Sequence, residues 1–279
     1  MRSMRHEEIV EHPERAGQLS AEELAELLEE CTRLFEGERQ LLEAEGRVLV
    51  VGDTHGDQLS TLKAFKVDAD AYVFLGDYVD RGPQQLENIN FLLAKKLSEP
   101  ERVLLIRGNH ESPLMNYSYG FYTRVVTAYG AEIYKMYARL FAQMPYAVLI
   151  NSSVLAVHGG IARGLKSLDD LRRLPKGDLI PSNQLAFEVL WNDPDESVKW
   201  FAPSPRGEGV YLFGRSALKS FMDANDVKLI VRGHEYFPTG LYTYFEGMLV
   251  SVFSCRYYPS TSPKAVLVRD HRWEPLLLD

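Results

Sequence analysis

Cysteine is scarce in this 279-residue chain: Cys31 and Cys255 are the only two, and no CxxC spacing occurs. Neither a disulfide framework nor a thiolate metal site is indicated, and a reducing cytoplasm is the expected setting. Long apolar runs are also missing, since no span approaches the roughly 20 residues that a membrane helix needs. The start, MRSMRHEEIVEHPERAG, has basic residues with no apolar segment behind them and does not read as a secretory signal. No cluster of lysine or arginine stands out. With 39 acidic against 31 basic residues and a formal charge of −8, the chain lacks the electrostatic footprint of a nucleic-acid binder. Any anionic ligand must be held by local charge.

What is present is apolar material, 46% of the chain, enough to bury a large core. We read residues 1–279 as a single domain with an N-terminal helical segment over about 1–45. In LSAEELAELLEECTRLF, Ser20 and Glu23 form a capping box and Leu19 with Leu24 a staple. Leu24, Leu27, Leu28, Cys31, Leu34 and Phe35 then recur at helical spacing. That helix is expected to pack on the domain that follows, with Cys31 in its apolar stripe.

A second pattern repeats along the chain: a short β-branched apolar run stops at a glycine or a polar cluster. RVLVVGDTHGD (47–57), AYVFLGDYVDRG (71–82), RVLLIRGNHE (102–111), SSVLAVHGG (152–160) and VKLIVRGHE (227–235) all share it. Each reads as a buried strand, and QLENINFLLAKKL (85–97) between two of them suggests βαβ units. In such sheets ligands bind beyond the carboxyl ends of the strands, so the polar clusters should meet on one rim. LPKGDLIPSNQ (174–184) and 193–209 read as long loops within the domain. Towards the C-terminus, GLYTYFEGMLVSVFS predicts a hairpin turning at Glu246 and Gly247, and KAVLVRDHRWEPLLL a final strand pair, together implying a second, mainly antiparallel sheet. Two facing sheets with helices outside would make a layered α/β or α+β domain.

Four of the seven histidines, His55, His110, His158 and His234, sit at the ends of those runs; His6, His12 and His271 lie in terminal or loop-like sequence. One such histidine is more often structural than a ligand. Four of them, joined by Asp53, Asp77 and Asn109, pool neutral imidazole, carboxylate and amide, a mixed N/O set suited to manganese, iron or zinc. Six ligating groups exceed one tetrahedral ion and suit a pair.

The series GDTHG (52–56), GDYVDRG (76–82), RGNHE (107–111), HGG (158–160) and RGHE (232–235) resembles the phosphoprotein phosphatase family of binuclear metallophosphatases, the serine/threonine protein phosphatases. NYSYGFY (116–122), LWNDP (190–194) and SPRG (204–207) extend the resemblance, which runs from about the N-terminal helix to Ser254. It implies a β-sandwich of two mixed sheets flanked by helices. It further implies two divalent ions, manganese expected in vitro and iron or zinc as alternatives. Asp53 and His55 would bind the first, Asp77 would bridge, and Asn109, His158 and His234 would complete the second. A hydroxide between the ions would be the nucleophile against phosphoserine or phosphothreonine. Arg81 and Arg206 offer planar forks for phosphoryl oxygens, with Asn109 and Tyr258 also at the substrate. His110 is the candidate acid for the alkoxide leaving group, oriented by Asp80. Phosphoproteins are the implied substrates, with no membrane or nucleic-acid partner and with regulatory subunits unspecified.

Competing readings exist. Arg81 would pair with Asp77 or Asp80 on an ordinary turn, and Arg206 would be a solvated loop residue. Glu111 and Glu235 are expected to support the fold or the ligands. The family typically reads Ser-Ala-Pro-Asn-Tyr-Cys where this chain has FSCRYYPSTSPKA (253–265); Tyr258 is the nearest equivalent of the site tyrosine and Tyr257 its rival. The same dimetal centre could hydrolyse dinucleoside polyphosphates or small phosphoesters. A phosphodiesterase or nuclease usually carries GHxH at the last motif, where this chain has Tyr236. A non-catalytic phosphopeptide-binding scaffold would be expected to have lost some of these groups, and all of them are here.

Overall fold

The computed structural model describes residues 6–279. Its strands, in chain order, are β1 (Leu41–Ala44), β2 (Arg47–Val51), β3 (Ala71–Phe74), β4 (Val103–Leu105) and β5 (Ala147–Ile150). Then come β6 (Val154–Val157), β7 (Asp193–Pro194), β8 (Phe201–Pro203), β9 (Tyr211–Phe213) and β10 (Leu229–Arg232). The last are β11 (Leu241–Tyr244), β12 (Leu249–Val252), β13 (Lys264–Arg269) and β14 (Arg272–Leu277). All five of the run-and-stop segments supply a strand.

Two sheets face one another. One has the order β14-β13-β2-β3-β4, with β2, β3 and β4 parallel; the other has β1-β5-β6-β10-β12-β11, with β6, β10 and β12 parallel. Side chains alternate across a strand, and the alternation sorts the core. Val48, Val50, Val73 and Leu104 meet Val154, Val231 and Val250 between the sheets. Leu49, Val51, Phe74 and Leu105 point the other way, into a helical layer. Leu155, Val157, Ile230 and Leu249 do the same on the far side. Strands buried on both faces need no polar residue, which is why their sequences are continuous apolar runs.

The helix Ala21–Gly37 carries the expected capping box: Glu23 N–H donates to Ser20 Oγ at 3.2 Å and Ser20 N–H to Glu23 Oε2 at 2.8 Å. Leu24, Leu27, Leu28, Cys31 and Phe35 are buried in the outer helical layer. Each buried Leu or Phe contributes about 1.5–3 kcal/mol, more than propensity alone supplies. Cys31 Sγ faces the Leu93 carbonyl of the helix Gln85–Ser98.

Two expectations need correction. The C-terminal strands do not build a sheet of their own: β11 and β12 extend the second sheet, while β13 inserts beside β2 in the first. The reason lies in β13, whose Val266 and Val268 face the inter-sheet core and whose Ala265 and Leu267 face the helices. A strand apolar on both faces belongs inside a sheet. Segment 193–209 is likewise not all loop. It contributes β7 and β8 to a small third sheet, order β7-β9-β8, whose pairing of Asp193 with Leu212 gives backbone groups their partners.

Because β2 and β3 run parallel in one sheet and β6 and β10 parallel in the other, their carboxyl ends come to the sheets' rims. An isolated bridge between Asp53 and Phe253 joins the two rims.

Candidate metal centre

The chain turns abruptly where the strands end. His55, Asp77, Asp80, Arg81 and His234 all have positive φ, from 41° to 68°. Non-glycine residues hold that conformation at a cost of order 1–3 kcal/mol each, and only where the surroundings over-determine it. Here they do. Asp77 N–H and Gly108 N–H donate to Glu111 Oε2 at 2.7 and 2.9 Å, and Tyr78 N–H to Glu111 Oε1 at 2.9 Å. His55 N–H reaches the Asp77 carbonyl at 2.8 Å, and Arg81 N–H the Tyr119 carbonyl at 3.0 Å. A Cβ on Gly108 would lie 2.3 Å from Asp77 Oδ1, and one on Gly233 2.4 Å from Asp53 Oδ1. Only glycine admits those approaches.

These turns converge their side chains. His158 Nε2 lies 3.0 Å from Asn109 Oδ1, 3.2 Å from His234 Nδ1 and 3.4 Å from Asp77 Oδ1. His234 Nδ1 is 3.0 Å from Asn109 Oδ1. On the other side of Asp77, His55 Nε2 stands 3.6 Å from Asp77 Oδ2 and 4.0 Å from Asp53 Oδ2. Asp77 thus turns one oxygen to each group. Ligands about 2.0–2.2 Å from a common ion are themselves about 2.8–3.6 Å apart at octahedral or tetrahedral angles, a range that holds all these spacings except the slightly wider one from His55 to Asp53. Two ligating groups by proximity alone are His55, Asp77 and His110, and Asp77, His158 and His234, all buried.

Protonation points the same way. The His55 and His158 Nδ1 atoms are each 2.8 Å from a carbonyl, of Val79 and Leu75, which leaves both Nε2 atoms as lone-pair donors. Burial pushes the pKa values of His55, His158 and His234 well below the ordinary imidazole value, so the rings are neutral. Burial also raises Asp53 to about 7 and Asp77 well above the carboxylate range, the latter helped by the Asp53 charge. Asn109 fits in either orientation: with its oxygen inward it lies 3.0 Å from the His158 and His234 ring nitrogens, and turned over its amide nitrogen would donate to them. The lone pairs on Nε2 of His55 and His158, beside the Asp53 and Asp77 carboxylates, make a buried N/O donor set that fits divalent metal ions.

An open pocket of about 660 Å³ lies over these groups, lined by Asp53, His55, Asp77, Asn109 and His234 and by Arg81, His110, Arg206 and Tyr258. His158 and Asp80 are fully buried behind it. His110 Nδ1 is 2.7 Å from Asp80 Oδ2, and Asp80 also accepts from Asn116 Nδ2 at 3.0 Å and Phe121 N–H at 2.9 Å. Burial lowers the His110 pKa, and the Asp80 bond opposes that shift.

Arg81 does not pair with Asp77 or Asp80. Its guanidinium lies 4.3 Å over the Tyr119 ring and 6.0 Å from the Tyr258 ring, facing the pocket. Arg206 sits in an exposed turn but is not free: Nε and Nη2 both reach the Asp193 carboxylate, the latter at 3.3 Å. Asp193 also accepts from Arg232 Nη2 at 2.8 Å. Neither Asp193 nor Asn116 was singled out from sequence, although both lie in segments that extend the family resemblance. Between the rival tyrosines, Tyr258 lines the pocket, while Tyr257 is exposed and donates to Gln84 Oε1 at 3.1 Å.

Comparison with known proteins gives a consistent picture. The family profile for calcineurin-like phosphoesterases matches residues 46–238. A serine/threonine-protein phosphatase 4 catalytic subunit from Eremothecium gossypii is 34% identical over 263 residues, covering 92% of this chain and 84% of that protein. A PP2A-like serine/threonine-protein phosphatase, PPG1 of Candida albicans, is 36% identical over 224 residues, 78% of this chain, which spans 54% of that protein's length. Among solved structures, a Saccharomyces cerevisiae serine/threonine phosphatase with similarity to human PP5 superposes with a TM-score of 0.86 at 29% identity, covering 93% of this chain and 90% of that one. A cold-active protein-tyrosine phosphatase from a Shewanella species, at 19% identity, a TM-score of 0.63, and coverage of 88% of this chain and 82% of that one, shares the fold.

Proposed function

The chain belongs to the calcineurin-like phosphoesterases, and within them to the serine/threonine protein phosphatases; from that premise we propose that it removes phosphate from phosphoserine and phosphothreonine of proteins by a two-metal hydrolysis. The observation that carries this reading is the Asp77 carboxylate set between two groups of lone-pair donors, beneath an arginine with no carboxylate partner among the described residues.

Asp53, His55 and Asp77 would hold one ion, and Asp77, Asn109, His158 and His234 the other. When bound, two divalent cations, manganese in vitro with iron or zinc as alternatives, supply Lewis acidity and an activated water. The protein's own groups do the rest. Arg81, its plane held by Tyr119, and Arg206, fixed by Asp193, grip phosphoryl oxygens and offset charge as phosphorus inverts. The water oxygen forms the new P–O bond as it gives up one proton to solvent, the ester P–O bond breaks, and the departing seryl or threonyl oxygen takes a proton from the His110 imidazolium, which solvent then restores. That proton must come from Nε2, because Nδ1 is tied to Asp80. Tyr258 walls the pocket beside Arg81.

We assign the whole chain to one catalytic domain acting in the cytoplasm, in keeping with two buried free cysteines and, among the described residues, no helix long and apolar enough to cross a membrane. The test is hydrolysis of a phosphoserine peptide against diadenosine tetraphosphate by manganese-loaded protein, with metal content measured on the same sample. Preferred turnover of the peptide with two ions per chain is expected. Preference for the dinucleotide would replace the protein substrate, and failure on every phosphomonoester would end the reading.

A further inference from the structure

The loop 254–263 carries Tyr258 and is attached to the domain through a partly buried ion pair. Arg256 N–H donates to Asp57 Oδ2 at 2.8 Å, and Arg256 Nε stands 3.0 Å from both Asp57 oxygens. Arg256 Nη2 adds a bond to Ser60 Oγ at 3.2 Å. Asp57 is wholly buried, caps the helix Gln58–Ala64 through Ser60 N–H at 3.1 Å, and lies two residues after His55. The other side-chain ties from the tip of the loop, residues 256–260, to the rest of the protein are weaker: an exposed Tyr257 bond to Gln84 and the Tyr236 hydroxyl on the Pro259 carbonyl. One buried carboxylate therefore ties the start of the helix just after His55 to the loop that presents Tyr258.

Two residues past Arg256, the Tyr258 ring stacks on His55 with centroids 5.9 Å apart and planes at 29°. It also meets Phe253 edge-on at 4.9 Å and Tyr236 at 5.1 Å, with the Arg81 guanidinium 6.0 Å away. An unpaired carboxylate in a dry site is strongly unfavourable, so removing Arg256 would leave Asp57 drawing in water or another partner at the base of the loop. Nothing else among the described side chains offers Asp57 a cation within 4 Å.

We propose that Arg256, paired with Asp57, is a positioning residue that holds Tyr258 against His55 and beside Arg81, and so sets the wall against which a phosphopeptide docks. The inference rests on the phosphatase reading for its catalytic consequence, but not for its structural one. Arg256→Ala should lower kcat/KM for a phosphoserine peptide about tenfold, mainly through KM, because a displaced wall misplaces bound substrate. In a Tyr258→Ala background the same change should cost under about twofold, since two residues acting through one contact are not additive. Arg256→Lys should recover part of the loss.

Limited chymotrypsin digestion of the intact, metal-free protein gives a second readout: cleavage after Tyr257 or Tyr258 should rise in Arg256→Ala. Should that variant fold poorly, Asp57→Asn keeps an acceptor for Ser60 N–H while removing the charge, and should expose the same bonds. Equal losses in both backgrounds, or unchanged cleavage in Arg256→Ala and Asp57→Asn, would overturn the proposal. If wild-type protein hydrolyses no phosphomonoester, the function fails while digestion still decides whether the latch exists.

Discussion

Asp80→Asn isolates the acid half of the proposed reaction. The Asp80 carboxylate receives three donors: His110 Nδ1–H and Asn116 Nδ2 at one oxygen, Phe121 N–H at the other. An asparagine has one acceptor oxygen, so no orientation serves all three. If the oxygen stays with Phe121 N–H, the amide nitrogen faces Asn116 as donor against donor and pushes His110 toward the tautomer with a bare Nδ1. If it turns toward His110, Phe121 N–H loses its partner. Either way the bond that favours the imidazolium loses its charge. Hydrogen bonds to charged groups contribute about 1.5–3 kcal/mol. At about 1.36 kcal/mol per decade this predicts a kcat loss of about 10- to 150-fold. The loss should fall on a phosphoserine peptide, whose alkoxide needs the proton, and be small on p-nitrophenyl phosphate, whose leaving group does not. Parallel steady-state kinetics on the two substrates, with bound metal quantified, is the assay. Equal losses on both, at unchanged metal content, would refute the acid assignment of His110 and the supporting role of Asp80.

Further outcomes can be checked separately. Asp77→Asn should nearly abolish turnover and cut metal stoichiometry, measured by elemental analysis, because the carboxylate faces both ligand groups; wild-type activity would contradict the bridging assignment. Arg81→Ala should weaken inhibition by inorganic phosphate as well as kcat/KM, by about 10-fold or more for a lost charge-assisted fork; unchanged phosphate affinity would reduce Arg81 to a stacking partner of Tyr119. Asp193→Asn should mimic Arg206→Ala in KM for the peptide, and no change would separate Arg206 from substrate. Chelated protein should lose thermal stability as pH rises from about 6.5 through about 7. Asp53 and Glu111, raised to about 7 by burial, hold protons in the folded state that the unfolded chain has already released, so their contribution disappears as they ionise. Below about 6.5 the neutral histidines, whose pKa values burial lowers, oppose that trend, because the unfolded chain then binds the protons they refuse. Melting curves across this range, with and without manganese, should differ in slope, and identical slopes would remove the need for cations at these carboxylates.

Much of the fold was legible because buried parallel strands leave a crude signature. Apart from Arg47 and Arg232 at strand ends, the runs starting at Arg47, Ala71, Val103, Val154 and Leu229 are apolar at every residue, and each stops at the polar cluster that serves the site. The capping box at Ser20 and the four strand-end histidines were readable for the same reason: local rules of helix ends and strand ends act over a few residues. Strand partnership was harder. β13 reads as half of a terminal hairpin, and nothing within it says that it pairs with β2, more than 200 residues earlier, as well as with β14. Its two apolar faces hinted at burial without naming the neighbour.

The sequence by itself determined which chemical groups exist and that most stand at strand ends: carboxylates at 53 and 77, an amide at 109, imidazoles at 55, 110, 158 and 234, and a guanidinium at 81, with a second guanidinium at 206 in a loop. Those are properties of residue type and of short-range pattern. The tertiary structure alone decided that the two Asp77 oxygens face opposite groups, that Asp193 holds Arg206, that Asp57 takes Arg256, and that Tyr258 rather than Tyr257 lines the pocket. Those are matters of side-chain direction and distance between segments far apart in the chain, set by how two sheets pack face to face, and no local propensity encodes them.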